Sequence, residues 1–405
     1  MARDAVAEII AYNLPGEGPA VATAEALRRK LAALANTPFQ FLRGTFHLMA
    51  RDVLQSRVSL ARGLAPTGLI VGDLHLKNFG VYRGQSGELV FDVNDFDDVG
   101  FGPVDLDLKR LCTSALLLPD NEPRVRLEAA VAIAQAWASE LDKLGGRFPI
   151  LPWTLDKADD GVADLLRERG RRKQDELIEK AAPTGDRIAE SEKFAPVDSD
   201  WLDRIIAAFA EYVEHLEQLK APDPPKGWDI LDVAYRFKGT GSLGRMRFTL
   251  LIGQRRERRL IEMKEARPSA MDQALGKAPE QERARVQTAA IRRLQGDPWP
   301  RVAATRLGRI PALSRENEPE EEKIGRELLA KDPGQLLSYA RQCGQVLARL
   351  HARVNAPVLL GTAWDPAATA HAAVEFAERY SIQVEADQKT FVASKEEVSR
   401  ALGIS

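Results

Sequence analysis

Two carboxylates and an amide between residues 72 and 98 have the types and the spacing of a phosphoryl-transfer site. Asp73 and Asn78 stand five positions apart, the spacing of a loop whose Asp accepts a substrate hydroxyl proton while its Asn holds a metal ion. Asp95 precedes an aromatic residue, as does the acid that supplies a further metal ligand in such sites. Because a phosphate chain and its magnesium need oxygen ligands from several loops, we predict that Asp73 is catalytic and that Asn78 and Asp95 bind Mg²⁺.

These residues follow apolar segments that are typical of β-strands. A short apolar run ends at Val71, and a predicted hairpin ends in the sequence NDFDD at residues 94–98. Isolated Asp and Asn residues usually form turns, but acids at the ends of neighbouring strands are brought together in space. A calcium loop is the other interpretation, although the segment lacks its Gly and its terminal Glu. If the hairpin register is shifted, Asp92 and Asp97 are the alternative metal ligands.

A glycine-rich segment in the second half of the chain is typical of a phosphate-binding hairpin. The residues that we expect to contact phosphate there are Gly239, Gly241, Ser242, Gly244 and Lys264. A dinucleotide-binding fold requires a helix after the glycines, whereas the sequence MRFTLLIG is strand-like, so the glycines form a hairpin tip whose amides can close over phosphates. Lys264 lies on the next predicted strand, where a phosphate-pairing lysine is expected. The alternative is a flexible surface hairpin with a solvated lysine.

The sequences GDLHLKN (residues 72–78) and NDFDD resemble the catalytic and metal loops of the aminoglycoside and choline phosphotransferases, within the protein-kinase-like superfamily. The wider pattern NFG, NDFDD, GP and DLKRL, with PFQFLRG at residues 38–44, is similar to a bacterial family, domain of unknown function 2252, over most of the chain. The resemblance implies a kinase-like fold. It also implies that His75, which we include among the catalytic residues, orients the Asp73 loop. Asp107 is expected to form a hydrogen bond to the same loop. The resemblance implies little about what is phosphorylated.

The composition of the chain limits its expected partners and its expected cellular compartment. The chain has 405 residues and a net charge of −2, so no long-range field favours nucleic acid or a membrane as a partner. Cys112 and Cys343 lie in apolar helical contexts, which excludes a disulfide framework and indicates a reducing compartment. The N-terminal sequence lacks the apolar core of a signal peptide, and no apolar run reaches membrane-spanning length. We therefore expect a cytoplasmic protein.

The chain is predicted to divide at a proline cluster. Residues 1–225 are mostly helical around the loops of 66–118, and the prolines of 222–225 end the last helix of this part. Residues 226–316 alternate as strands and predict a small β lobe, whereas residues 317–405 return to helices. The predicted fold class is α+β, a kinase-like two-lobed fold whose small antiparallel lobe comes late in the sequence, in rearranged or circularly permuted order.

For two further predictions, the lysine-pairing glutamate and the role of Arg43, the sequence leaves alternatives open. The predicted helix 278–294 takes the place of the helix that carries a lysine-pairing glutamate, and the sequence does not distinguish Glu280 from Glu282. Arg43 either contacts a phosphate or caps and pairs locally, and the pattern favours the structural role.

Together these residues predict an ATP- and Mg²⁺-dependent phosphotransferase acting on a hydroxyl of an unknown small molecule or protein. A protein nucleotidyltransferase that uses the same cleft with a reversed nucleotide is one alternative. A nucleotide-binding pseudokinase that transfers nothing is another. For the rearranged fold to work, Lys264 and Asp95 must face one another across a common cleft.

Overall fold

The computed structural model describes most of the chain. The described residues are 4–14, 16–55, 66–239, 243–276, 282–318, 322–323, 332–361 and 364–404. Gly241, Ser242 and Glu280 therefore lie outside the described residues. Within these ranges the protein is a mixed α+β structure whose sheets are antiparallel, as the strand and helix patterns predicted.

Helices dominate the part of the chain before the proline cluster. Its elements are α1 (Ala5–Asn13), α2 (Ala20–Asn36), α3 (Pro38–Gly44), α4 (Phe46–Leu54), β1 (Thr67–Ile70), a 3₁₀ turn (Leu76–Asn78), β2 (Phe79–Arg83), β3 (Leu89–Val93), β4 (Gly100–Pro103), α5 (Asp105–Leu116), α6 (Pro123–Leu144), α7 (Asp160–Arg169), α8 (Gln174–Ala181), β5 (Phe194–Ala195) and α9 (Ser199–Gln218). Local chemistry sets several boundaries. Thr37 caps α3 through its side chain, and Gly145 ends α6 in the left-handed conformation.

Strands dominate the next part, and helices close the chain. The elements are β6 (Asp229–Arg236), β7 (Arg247–Gln254), β8 (Glu257–Glu265), α10 (Ala270–Ala274), α11 (Arg283–Leu294), β9 (Val302–Leu307), β10 (Ile310–Glu316), β11 (Glu322–Lys323), α12 (Pro333–Gly361), α13 (Pro366–Ala393) and α14 (Lys395–Ala401). Among the described residues, no helix combines the length and the hydropathy needed to cross a membrane.

The largest sheet has six strands in the order β5-β6-β7-β8-β10-β9. Lys264 on the central strand β8 pairs with Arg247 of β7 and Leu313 of β10, so these three side chains share one face of the sheet. Alternate residues of β8, Ile261 and Met263, point to the opposite face and are fully buried there. The other face is charged at Glu262 and Lys264, whereas Leu260 and Leu251 on that same face pack in a second hydrophobic cluster.

Helix α9 covers the core face of this sheet. Trp201, Ile205 and Tyr212 pack in one hydrophobic cluster with Phe248 and Met263, which are residues of β7 and β8. The hydrophobic core of the sheet therefore crosses the predicted boundary at residue 225, because the amphipathic helix before the prolines buries its apolar side on the strands after them.

Two smaller sheets position the loops of the first half. Strand β1 pairs with β4, and β2 pairs with β3 on one side and with β11 on the other. The Asp73 loop leaves β1, whereas the NDFDD segment leaves β3. Strand β11 follows β10, so the chain passes from the large sheet back to the β2–β3 hairpin.

Asp107 fixes the start of the Asp73 loop. Its fully buried carboxylate accepts hydrogen bonds of 2.8 Å from the amides of Val71 and Gly72, which confirms the hydrogen bond expected from the resemblance. His351 of α12 lies 3.2 Å from the same carboxylate through Nε2, and the Trp137 indole donates to its other ring nitrogen. A helix near the end of the chain therefore supports a loop near its beginning.

Candidate active site

A cavity of about 450 Å³ separates the charged face of the large sheet from the loop after β3. Asp95, Asp97, Lys264 and Gly239 are among its lining residues. The described lining includes six cationic side chains and three carboxylates; the cations are Arg29, Arg43, Lys238, Arg247, Lys264 and Arg315, and the acids are Asp95, Asp97 and Glu262. This excess of positive charge suits an anionic ligand. Asp95 and Lys264 lie on the common cleft that the rearranged fold requires.

Lys264 is buried and its ammonium group forms an ion pair with Asp97. The pKa of Lys264 is lowered to about 8, mainly by burial and then by nearby Arg247, whereas Asp97 and Asp95 oppose the shift. Glu282, one of the two glutamates expected to pair with this lysine, is exposed at the start of α11 and lies 3.4 Å from Arg285 instead. The loop acid Asp97 therefore pairs with this lysine, while the pairing of Glu280, which lies outside the described residues, stays a prediction.

The three acids proposed as metal ligands have different environments. Asp95 and Asp97 both line the cavity. The Asp92 carboxylate instead accepts the amides of Val93 and Gly296 at 2.8 and 2.9 Å, and the residue is only 1% exposed. Asp92 is therefore a structural acid that holds the end of α11 against β3.

Asp73 is not among the described residues that line the cavity, and it is paired with the buried Arg110. Arg110 of α5 donates through Nε to the Asp73 carboxylate at 2.9 Å. Burial raises the pKa of Asp73 to about 6; Arg110 opposes this shift, and Asp98 and Asp95 add to it. A carboxylate held close to its ionisation point at neutral pH is suited to accept a proton.

Asn78 connects the Asp73 loop to the loop after β3. Its side-chain amide donates to the Asp73 carbonyl at 2.5 Å, and its own carbonyl accepts the Asn94 amide at 2.9 Å. Asn78 Oδ1 is buried and has no hydrogen-bond partner among the described residues. A buried amide oxygen without a partner fits one ligand position of a hard cation, although Asn78, unlike Asp95, is not among the described residues that line the cavity.

Asn78 and Asp95 offer two oxygen ligands. Such a small set suits magnesium better than a metal ion whose ligands all come from the protein. The described residues contain no group of three or more His, Cys, Asp or Glu side chains arranged to hold a metal. Magnesium in nucleotide sites is commonly held by one or two carboxylates together with the phosphates and water. Asn78 and Asp95 fit the protein's share of such a ligand set.

Both ring nitrogens of His75 lie near N–H donors. Nδ1 is 3.1 Å from the Lys77 backbone nitrogen and Nε2 is 3.1 Å from Arg43 Nε, and the neutral ring accepts a hydrogen bond at one of the two. The side chain is buried, with 3% exposure. This geometry agrees with a loop-orienting role for His75.

The described glycines of the predicted phosphate hairpin adopt conformations that other residues rarely tolerate. Gly239 and Gly244 have φ values of +80° and +87°, and Gly239 lines the cavity. A Cβ at Gly244 would approach Leu27 of α2 to 2.6 Å. Glycine is therefore required at both ends of the hairpin tip, while Gly241 and Ser242 stay predictions.

Comparison with protein families gives one match. A family model with the description "Uncharacterized protein conserved in bacteria (DUF2252)" matches residues 23–394. The chain belongs to this family. No curated protein and no solved structure matches it.

Helix α11 of this DUF2252 chain clamps the backbone of the NDFDD loop, a feature that the sequence reasoning missed. Arg283 donates to the carbonyls of Asp97 and Val99 at 2.8 and 2.7 Å. One turn later, Gln287 donates to the Phe96 carbonyl at 3.0 Å. Polar residues four apart on an otherwise apolar helix face were the available signal.

The sequence also did not predict the neutral polar atoms at the cavity wall. Asn94, Gln287 and Trp299 line the cavity and are at most 7% exposed. The side-chain amide of Asn94, Gln287 Oε1 and Trp299 Nε1 have no hydrogen-bond partner among the described residues. Buried polar groups are costly unless they are paired, so these atoms offer donors and acceptors to a ligand.

The clamp predicts that Arg283→Met loosens the NDFDD loop. The substitution leaves the carbonyls of Asp97 and Val99 without their buried donor, so we expect a loss of about 2–5 kcal/mol in the free energy of unfolding. Amide hydrogen exchange should also accelerate at residues 95–100. The matched control is Arg285→Met on the same helix, whose side chain is 64% exposed and whose loss should cost at most about 0.5 kcal/mol. Equal exchange in both variants would contradict the clamp.

Proposed function

We propose that the chain is an ATP- and Mg²⁺-dependent phosphotransferase of the protein-kinase-like superfamily. The observation that carries the proposal is the ion pair between Lys264 and Asp97 in the wall of one cavity, although the two residues are 167 positions apart in the chain. A nucleotide is the ligand class whose phosphates and metal require a lysine and carboxylates from two such segments. The acceptor is a hydroxyl of a small molecule or a protein.

The order of elements in the large sheet supports this proposal. A glycine hairpin joins β6 to β7, the lysine follows on β8, and a helix, α11, comes before β9 and β10. Kinase-like enzymes arrange their phosphate-binding parts in this order. Catalysis depends on the assembled geometry and not on chain order, so a lobe that comes late in the sequence is compatible with the same chemistry.

Each part of the cavity has a role in nucleotide binding. Lys264 and the amides near Gly239 bind the phosphates, and Asn78 and Asp95 hold Mg²⁺. The unpaired polar atoms of Asn94, Gln287 and Trp299 suit the hydrogen-bonding edge of a heterocyclic base. When bound, Mg²⁺ supplies neutralisation of the phosphate charge.

Asp73 orients the acceptor and takes its proton. The acceptor oxygen forms a bond to the terminal phosphorus, the bond from that phosphorus to the oxygen of the leaving ADP breaks, and the hydroxyl proton passes to Asp73. Arg110 holds the carboxylate in place through its 2.9 Å hydrogen bond. Asn78 fixes the loop backbone that carries it.

The product formed from ATP tests the proposal. Incubated with ATP and Mg²⁺, the chain should form ADP, with water replacing the missing acceptor. Asp95→Asn should lower ADP formation at least about 100-fold, because the metal clamp loses a charged ligand. Asp186→Asn, a change at an exposed acid that pairs with Arg258, is the control and should keep the rate.

Other products point to other functions. Pyrophosphate in place of ADP would indicate nucleotidyl transfer, and binding of MgATP without consumption would indicate a pseudokinase. Full activity of Asp95→Asn would refute the metal assignment.

The environment of Asp73 predicts the acid limb of the pH profile. The ionised carboxylate is the active form and burial raises its pKa to about 6, so the rate of ADP formation should fall about tenfold per pH unit below about pH 6. Because Arg110 lowers this pKa, Arg110→Gln should move the midpoint to higher pH. Asp73→Asn should lack this limb. A limb near the ordinary Asp value of about 4 would contradict the assignment of Asp73 as the base.

A further inference from the structure

Arg43 reaches the cavity from the opposite side to the large sheet. It lies at the end of α3, and its side chain lines the same cavity as Asp95 and Lys264. Its Nε donates toward His75, which follows Asp73 by two positions. Arg43 thus stands where the cavity meets the Asp73 loop.

The guanidinium of Arg43 has hydrogen-bonding capacity left over. Nε faces His75 at 3.1 Å, and Nη1 donates to Gln40 at 2.8 Å. A guanidinium carries five N–H groups, and no described residue accepts from Nη2. The contacts of Nε and Nη1 therefore hold the side chain in place, while both N–H groups of Nη2 are available to a ligand.

Two carboxylates of the site act on this guanidinium. Burial lowers the pKa of Arg43, whereas Asp73 and Asp95 raise it. Both the proposed base and the proposed metal ligand therefore lie within electrostatic reach of one cation. Lys264, the other cation assigned to phosphate, is paired with Asp97 on the far side of the cavity.

We propose that Arg43 binds the terminal phosphate of the nucleotide, the group that is transferred. This inference rests on the proposed function. The phosphoryl group must pass from the metal ligand Asp95 to the acceptor held at Asp73, and both of these carboxylates act on the Arg43 guanidinium. The two N–H groups of Nη2 can donate to phosphate oxygens, and they stay in contact with the charge that spreads over these oxygens during transfer.

The assignment distinguishes Arg43 from the other cations of the cavity. A residue that contacts only the terminal phosphate contributes to the binding of ATP and not to that of ADP. A cation that acts through its general field, or an arginine that merely supports the fold, affects both nucleotides alike. The difference between the two affinities is therefore the diagnostic quantity.

The experiment measures the dissociation constants of MgATP and MgADP by titration calorimetry for the full chain and for Arg43→Gln. We expect the affinity for MgATP to fall about tenfold or more, as charge-assisted hydrogen bonds are lost, while the affinity for MgADP changes less than about twofold. Arg29→Gln is the matched control, since Arg29 lines the same cavity but pairs with Glu25 of α2. Arg29→Gln should weaken the binding of MgATP and of MgADP by a similar factor.

Arg43→Lys keeps the charge and loses the fork, so its ratio of affinities should lie between those of the wild type and Arg43→Gln. If Arg43→Gln does not fold, a reduced preference of the folded Arg43→Lys for MgATP carries the same conclusion. An unchanged ratio in the folded variants overturns the inference and leaves the proposed function intact. A wild-type chain that binds neither nucleotide overturns the proposed function and this inference together.

Discussion

The buried ion pair between Lys264 and Asp97 joins the two parts of the molecule that build the cavity. Two charges removed from water are stable only when they are paired and further hydrogen-bonded, and the surroundings supply those partners. Arg245 lies 3.7 Å from Asp97, and Arg283 holds the Asp97 carbonyl. This ion pair therefore links the large sheet to the loop after β3 in the wall of the cavity. A phosphate entering the cavity offers Lys264 a second anionic partner.

Segments from three distant parts of the chain meet at the Asp73 loop. The loop itself follows β1, Asp107 of α5 holds its amides, and His351 of α12 supports Asp107. Arg43 contacts the loop from α3. Because each contact is local in space and indifferent to chain order, the late position of the sheet and of α12 leaves the geometry of the loop unaffected.

Local patterns predicted the strands around Lys264, the helix before Leu294 and the hydrogen bonds of Asp107, because periodicity and strand-end acids depend on neighbouring residues. Contacts set by tertiary packing were not predictable in the same way. The pattern of α9 shows that one side is buried, but not that β7 and β8 bury it. Among Asp92, Asp95 and Asp97, only the fold decides that Asp92 caps Gly296 while the other two face the cavity. The partner of Lys264 was expected on the predicted helix 278–294 because the sequence offered glutamates there, whereas the partner among the described residues is Asp97 in the loop after β3.

The most direct measurement of the central claim, a single nucleotide held between sheet and loop, is a crystal structure of the chain with Mg²⁺ and a non-hydrolysable ATP analogue. The account predicts the triphosphate between Lys264 and Asp95, with Mg²⁺ about 2.1 Å from an Asp95 oxygen. An analogue bound elsewhere, or a cavity that stays empty at a saturating concentration, would contradict it.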